Sequence, residues 1–252
     1  SASVTLAENV ISGGAVASIE DSDIDVTGLV TVDAYAQNEI DAVSVSVAGA
    51  VGVGSAGLSL SFALSSTDNT LTNQVTAQIV NSTVDAGGAV SVTALDQSTI
   101  DSTAAAAAVS ISAGAFSIAF SGAAVLSDND FSTDVAALVT GSDVTADTGD
   151  ILVQALSDAE VSSLAIGAAV SVSAGTVALG AAGAGADAKT THDTSASAVV
   201  TGSALDAVAG AVTVRAAEET TVDTDVIAVS LAAGGGAVAV NLSIAVALAE
   251  NT

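Results

Sequence analysis

The sequence predicts an all-β fold: a parallel β-solenoid of four 60- or 61-residue repeats, wound as wide, flattened coils. Three observations predict it. The first is self-similarity at a fixed period. The segment Ala17–Ala34 returns as Ala77–Ala94, Ala137–Ala155 and Ala198–Ala216, in the frame A-x-[IV]-x-x-S-x-[IVL], then Gly, then [IV]-x-V-x-A. The second is composition: Val, Ile, Ser, Thr and 23 Gly favour strands, and the absence of Pro leaves every backbone N–H free to join a ladder. The third is vertical agreement between copies. Leu58, Ile118, Leu179 and Val240 are equivalent, as are Gly54, Gly114, Gly175 and Gly236, which is what coils stacked about 4.8 Å apart require.

The chain is expected to be a single array over residues 1–252, with repeat frames of about 9–68, 69–128, 129–189 and 190–250. Leu6-Ala7-Glu8-Asn9 reappears as Leu248-Ala249-Glu250-Asn251, so the chain reads as a segment of a longer array. Within the second copy, strands flank the turn signal Ala86-Gly87-Gly88, and Val90 and Val92 face away from Ser91 and Thr93. A connecting stretch, Leu95–Asp101, precedes an uncharged part containing Val109–Ala113 and Phe116–Phe120. Parity shifts at Gly114, which marks a corner or a bulge. Ser127-Asp128-Asn129-Asp130 reads as a polar loop that closes the unit.

Two readings of the coil stay open. Ser82–Asp85 resembles Ser98–Asp101, and Val90–Val92 resembles Val109–Ile111, which would suit three slim coils of about 20 residues. The clean segregation of charge favours one wide coil instead. The uncharged blocks also carry two readings. In one they are interior, with Val, Leu, Ile and Phe filling one layer and Ser, Ala and Gly a tighter second layer. In the other, the small-residue face is a dry zipper between neighbouring filaments, as Gly180–Ala186 would allow.

Charge and composition exclude several classes. With 28 acidic residues against Lys189 and Arg215, the net charge of −26 opposes nucleic acid and anionic membrane surfaces. The uncharged blocks, Val43–Thr67, Ser102–Ser127, Val161–Ala186 and Val226–Ala249, are long enough for membrane helices. They alternate large and small residues and lack Lys/Arg flanks and aromatic belts, so no membrane span is expected. Without Cys there is neither a disulfide framework nor a thiolate site.

No catalytic residue and no cofactor-binding residue emerges. Acids recur with the repeat and do not cluster once, as the paired carboxylates of a glycosidase would. Gly52-Val53-Gly54 and Gly234-Gly235-Gly236 lack the strand–turn–helix setting of a phosphate loop. His192, the one histidine, reads as a surface loop residue. Asp-x-Asp pairs at Asp21/Asp23, Asp23/Asp25, Asp128/Asp130 and Asp223/Asp225 are weak calcium candidates, because calcium takes six to eight oxygens and no complete binding loop is present. Stacking adds one argument for calcium: Asp25, Asp85 and Asp206 share a column with Thr145, and like charges one coil apart repel unless a cation bridges them.

The stretch Asn81–Ala94, N-S-T-V-x-A-G-G-x-V-x-V-x-A, resembles repeats of very long bacterial surface and secreted proteins. These are filamentous-haemagglutinin-like exoproteins, leukotoxin-type proteins and autotransporter adhesin stalks. The resemblance spans all four copies. It implies a right-handed parallel β-solenoid, exported, serving as an adhesin shaft or cell-surface filament. The expected function is therefore a structural segment of an extracellular filament, stalk or sheath that associates with itself. An adhesin binding glycans, ice or mineral, or a calcium-stabilised adhesin shaft, is the alternative.

Overall fold

A computed structural model describes all residues from Ser1 to Thr252. The chain alternates long strands with one short strand per coil. The first coil holds β1 (Ala2–Glu20), β2 (Asp23–Val26), β3 (Val30–Ala36) and β4 (Glu39–Val53). The second holds β5 (Ala56–Val80), β6 (Thr83–Ala86) and β7 (Val90–Ala113), and the third β8 (Phe116–Thr140), β9 (Asp143–Ala146) and β10 (Ile151–Ala174). Next come β11 (Val177–Thr201), β12 (Ala204–Ala207) and β13 (Val212–Gly235), and β14 (Val238–Asn251) begins the next turn.

Three parallel sheets result. The first runs β1-β5-β8-β11-β14; the second is a wall of β2, β6, β9 and β12; the third runs β13-β10-β7, with β3 and β4 both paired to β7. Register follows the repeat, so that Leu58 pairs with Ile118, and Ile118 with Leu179. The fold is the parallel β-solenoid expected, in its wide-coil form: Ser98–Asp101 lies within β7 and opens no slim coil of its own. With long strands of 24 or 25 residues, each side of the coil spans about 80 Å at roughly 3.3 Å per residue. The four-residue strands make a base near 13 Å. The first and third sheets pack on each other, so the cross-section is a long, narrow triangle.

Specific side chains build the corners. Where the first sheet meets the short wall, Asp21, Asn81, Gly141 and Gly202 take positive φ (47°, 48°, 61° and 61°), a conformation that Gly, Asn and Asp tolerate best. The serine after each of them explains the invariant Ser of the repeat frame. Ser82 Oγ donates to Val80 O (2.7 Å) and accepts from Ser22 N of the coil below (3.0 Å). Ser142 and Ser203 repeat the pattern one coil on. At the far end, Gly54, Gly114, Gly175 and Gly236 form the tip. A Cβ on Gly114, Gly175 or Gly236 would fall on the carbonyl oxygen of the glycine before it in the column, so only glycine stacks there.

The interior changes character from base to tip. Near the base, Val75, Ile79, Val84, Val92, Val135 and Ile151 form a branched aliphatic core. Leu71, Ile100 and Phe131 follow. Beyond them lies a buried polar step. Asn9 donates to Asn69 (2.9 Å) and Asn69 to Asn129 (2.8 Å), while Thr67, Ser102, Ser127 and Ser163 share hydroxyl bonds of 2.9–3.1 Å. Apart from Val125 beside the polar step, the last third of the triangle is filled by Ala, Ser and Gly, among them Ala104, Ala108, Ala165 and Ala182.

Here the structure corrects the sequence reading. Val, Leu, Ile and Phe of the uncharged blocks do not fill a layer of the interior, and the small-residue face is not a zipper between filaments. The small residues are the interior; many of the large ones, such as Val45, Leu58 and Phe120, face outward and are exposed. Parity is the cause. Strand β8 alternates without a break from Thr140 back to Phe116, so Asp134, Asp130 and Asp128 commit Phe120 and Phe116 to the same outward face. Asp128–Asp130 is accordingly the middle of a 25-residue strand and not a loop, and Leu95–Asp101 is strand as well.

Candidate functional site

The candidate site is the thin, uncharged part of each coil, a blade apolar on both outer faces. On the third sheet, the outward positions from the tip back to Val43, Thr103, Leu164 and Asp225 are apolar except for Thr103 and Asp225. Over about ten residues this strip is roughly 33 Å deep. Its residues include Val47 (66 % exposed), Val51 (72 %), Ile111 (42 %) and Leu231 (55 %). The next outward column is Asp41, Asp101, Ser162 and Asp223, where the acidic surface begins.

The opposite face, on the first sheet, carries Leu58, Leu60, Phe62, Phe116, Phe120 and Leu126 but is not flat. Glycines at 122, 183 and 185 leave a notch beside Phe62 and Leu64. The Phe62 ring lies over Gly122, where an added Cβ would come within 2.6 Å of it. Asp187 and Lys189 then cut into this face.

Backbones approach closely inside the blade. Ser59 and Ser110 hydroxyls meet across the sheets at 2.7 Å, and Ser171 Oγ donates to the Ala119 carbonyl at 2.7 Å. Ser65 Oγ donates to Ser44 O (2.7 Å) and Ser46 Oγ to Ser3 O (2.9 Å). A Cβ on Gly167 would lie 2.7 Å from the Gly185 carbonyl oxygen. A serine on one sheet thus reaches the other sheet's backbone, which is far tighter than the usual spacing of about 10 Å. Between Val125 and the tip, no room remains for a branched side chain.

Two acids, Asp96 and Glu218, break the outward rule. Asp96 points into the core, fully buried, accepting from Asn73 Nδ2 (2.5 Å) and Ser98 Oγ (2.9 Å). Burial raises its pKa above the ordinary 3.8, against the lowering effect of those two hydrogen bonds. The seam continues along the stack, since Asn73 pairs with Thr133 and Asp96 with Ser157. Further on, Thr194 meets Glu218 across the same part of the core.

The calcium candidates are spread over three places. Asp21 occupies the positive-φ corner, and Asp23 and Asp25 stand exposed on β2. Asp128 and Asp130 project from β8, and Asp223 from β13 among exposed and half-buried neighbours with Asp225 two residues on. Each pair lies along an extended strand or corner and does not wrap in a loop, and no three Asp, Glu or His side chains converge to hold a metal ion. Asp128 has a raised pKa, chiefly through partial burial; nearby Lys189 lowers it, while Asp68, Asp130 and Asp187 raise it. Asp25, Asp85, Thr145 and Asp206 do form one column, as expected.

His192 is in β11, not in a loop. It follows Ile11, Leu71 and Phe131 in an inward column, and its Nδ1 is buried without a partner. No helix of the structure is long and apolar enough to cross a membrane. Comparison with protein families, with curated proteins and with solved structures found no match.

Proposed function

We propose that this chain is a structural segment of an extracellular filament, stalk or sheath, built by stacking coil on coil. The observation that carries the reading is the pair of open stack ends. Strands β1, β2, β3 and β4 on one side, and β12, β13 and β14 on the other, each have a partner on one edge only. An unpaired parallel edge whose cross-section matches the opposite edge is a template for further coils. A second copy of this chain can supply such coils.

Other features agree with an exposed structural role. Interactions that hold the fold are repetitive: 154 of 177 backbone hydrogen bonds lie within the strands, so one design extends without new contacts. A net charge of −26 and the absence of Cys suit a salty, oxidising exterior. The resemblance of Asn81–Ala94 to repeats of surface exoproteins points the same way. No residue is assigned a catalytic role.

Native mass measurement over a concentration series tests the stacking. Assemblies that lengthen along one axis as concentration rises are expected. A discrete 23.7-kDa monomer at every concentration would sink the reading. The adhesin alternative is favoured instead if the isolated chain gives a specific glycan-array signal.

A further inference from the structure

We propose that the outer face of the third sheet, in the blade, is a lateral interface with a second copy of this chain. In the pair the two blades overlap face to face and point in opposite directions, related by a twofold axis parallel to the stacking axis. Three observations lead there. The face is continuous and apolar, with Val45, Val47, Val109, Ile111, Val170 and Leu231 in adjoining columns over successive coils. Flat, β-branched faces of this kind pack as aligned sheets about 10 Å apart. The first sheet's outer face, interrupted by its glycine notch and by Asp187 and Lys189, fits a flat partner less well.

Area supports the choice. Four coils at about 4.8 Å make a face roughly 19 Å tall, which with a depth of about 33 Å gives near 630 Å². Two copies together cover about 1,250 Å², above the roughly 1,000 Å² that a specific interface needs. An apolar patch of this size on a lone chain is at the upper end of what monomers expose. Every added coil enlarges it.

Charge fixes the orientation. If both blades pointed the same way, the columns containing Asp41, Asp101 and Asp223 would face their own copies across about 10 Å, a separation that physiological salt screens only partly. Reversed blades put the two acidic bodies on opposite sides, and Asp225, at the inner margin of the strip, is the one charged residue in the overlap. A twofold along the stacking axis also leaves both stacks with the same polarity, so contacts recur coil after coil. Lipid is disfavoured as occupant. Immersed in hydrocarbon, the open edges of β4 and β13 would hold unsatisfied backbone groups, and no Trp is present to mark an interface.

The chain has no cysteine, so single spin labels report the arrangement. Residues 97 and 113 lie on the outward face of β7, at its acidic side and at the tip. With the twofold midway along the blade, labels at Gln97→Cys should give an intermolecular distance of about 70 Å, and labels at Ala113→Cys about 35 Å, at roughly 3.3 Å per residue. Blades pointing the same way would give about 10–20 Å at both sites and overturn the orientation. Absence of any intermolecular coupling, or coupling that vanishes while the chain floats with neutral phosphatidylcholine vesicles, would overturn the interface. The outward substitution Val109→Lys should weaken the pair at least about tenfold while circular dichroism stays that of the parent. Unchanged association would also overturn it. Lateral pairing is separable from end-to-end stacking, because scattering shows a pair widening at constant axial length.

Discussion

Two substitutions in the blade give opposite results if the small residues are truly its interior. Gly167 faces inward on β10, and Leu58 faces outward on β5, where it is 68 % exposed. Gly167→Val places a Cβ 2.7 Å from the Gly185 carbonyl oxygen, some tenths of an ångström closer than side chains tolerate, and adds two methyl groups beyond it. The neighbours at this level, Ala106 and Ala228 in the same ladder, cannot retreat without parting the sheets. Overpacking of this kind costs about 1–3 kcal/mol and here should reach the upper part of that range. Leu58→Ala removes a side chain only about one-third covered, so its transfer loss is under about 1 kcal/mol. A buried leucine would lose about 2–5 kcal/mol. Urea unfolding followed by circular dichroism, with midpoint and slope both fitted, measures each. If Leu58→Ala destabilised by more than about 2 kcal/mol while Gly167→Val was neutral, large residues would be the core and the blade's inversion wrong.

Further outcomes are expected. Asp96 keeps its proton to higher pH in the folded chain than the ordinary 3.8, so its contribution favours folding at low pH, fades as pH climbs from that value to the raised native pKa, and is constant above it. Asp96→Asn should therefore raise stability at pH 7 relative to the parent, with the advantage vanishing in acid; a pH series of urea midpoints checks both halves. Ser142→Ala strands the buried Ser82 N–H and removes the bond to the Thr140 carbonyl, which should cost about 1–3 kcal/mol by the same assay. With 28 acids against two basic residues, about 1 M NaCl should raise the melting temperature over dilute buffer. Millimolar calcium acting far beyond matched ionic strength would locate specific sites among Asp21, Asp23, Asp25, Asp128, Asp130, Asp223 and Asp225.

Much of the fold was legible because stacking forces it into the sequence. Columns such as Leu58, Ile118, Leu179 and Val240 are spaced by the coil length, and each is found in register. The corner at Gly114 and the turn after Ala86 were legible for the same reason, since close packing and tight turns admit few residue types. The direction of the blade's side chains is not legible from residue type. The ordinary preference sends large apolar residues inward, and the continuity of the strand overrides it. Had Ser127–Asp130 been read as strand, the outward carboxylates of Asp128 and Asp130 would have carried Phe120 and Phe116 outward by parity. Asp96 and His192 had no such signal. Each is one member of a column whose other members are different residues, so the period says nothing of their chemistry.

Electron cryo-microscopy of the concentrated chain tests the stacked solenoid most directly. Rods are expected whose strands cross the long axis, with a layer line at about 4.8 Å along that axis and a coil about 80 Å across. Isolated 23.7-kDa particles, or rods with the 4.8 Å spacing perpendicular to their length, would contradict it.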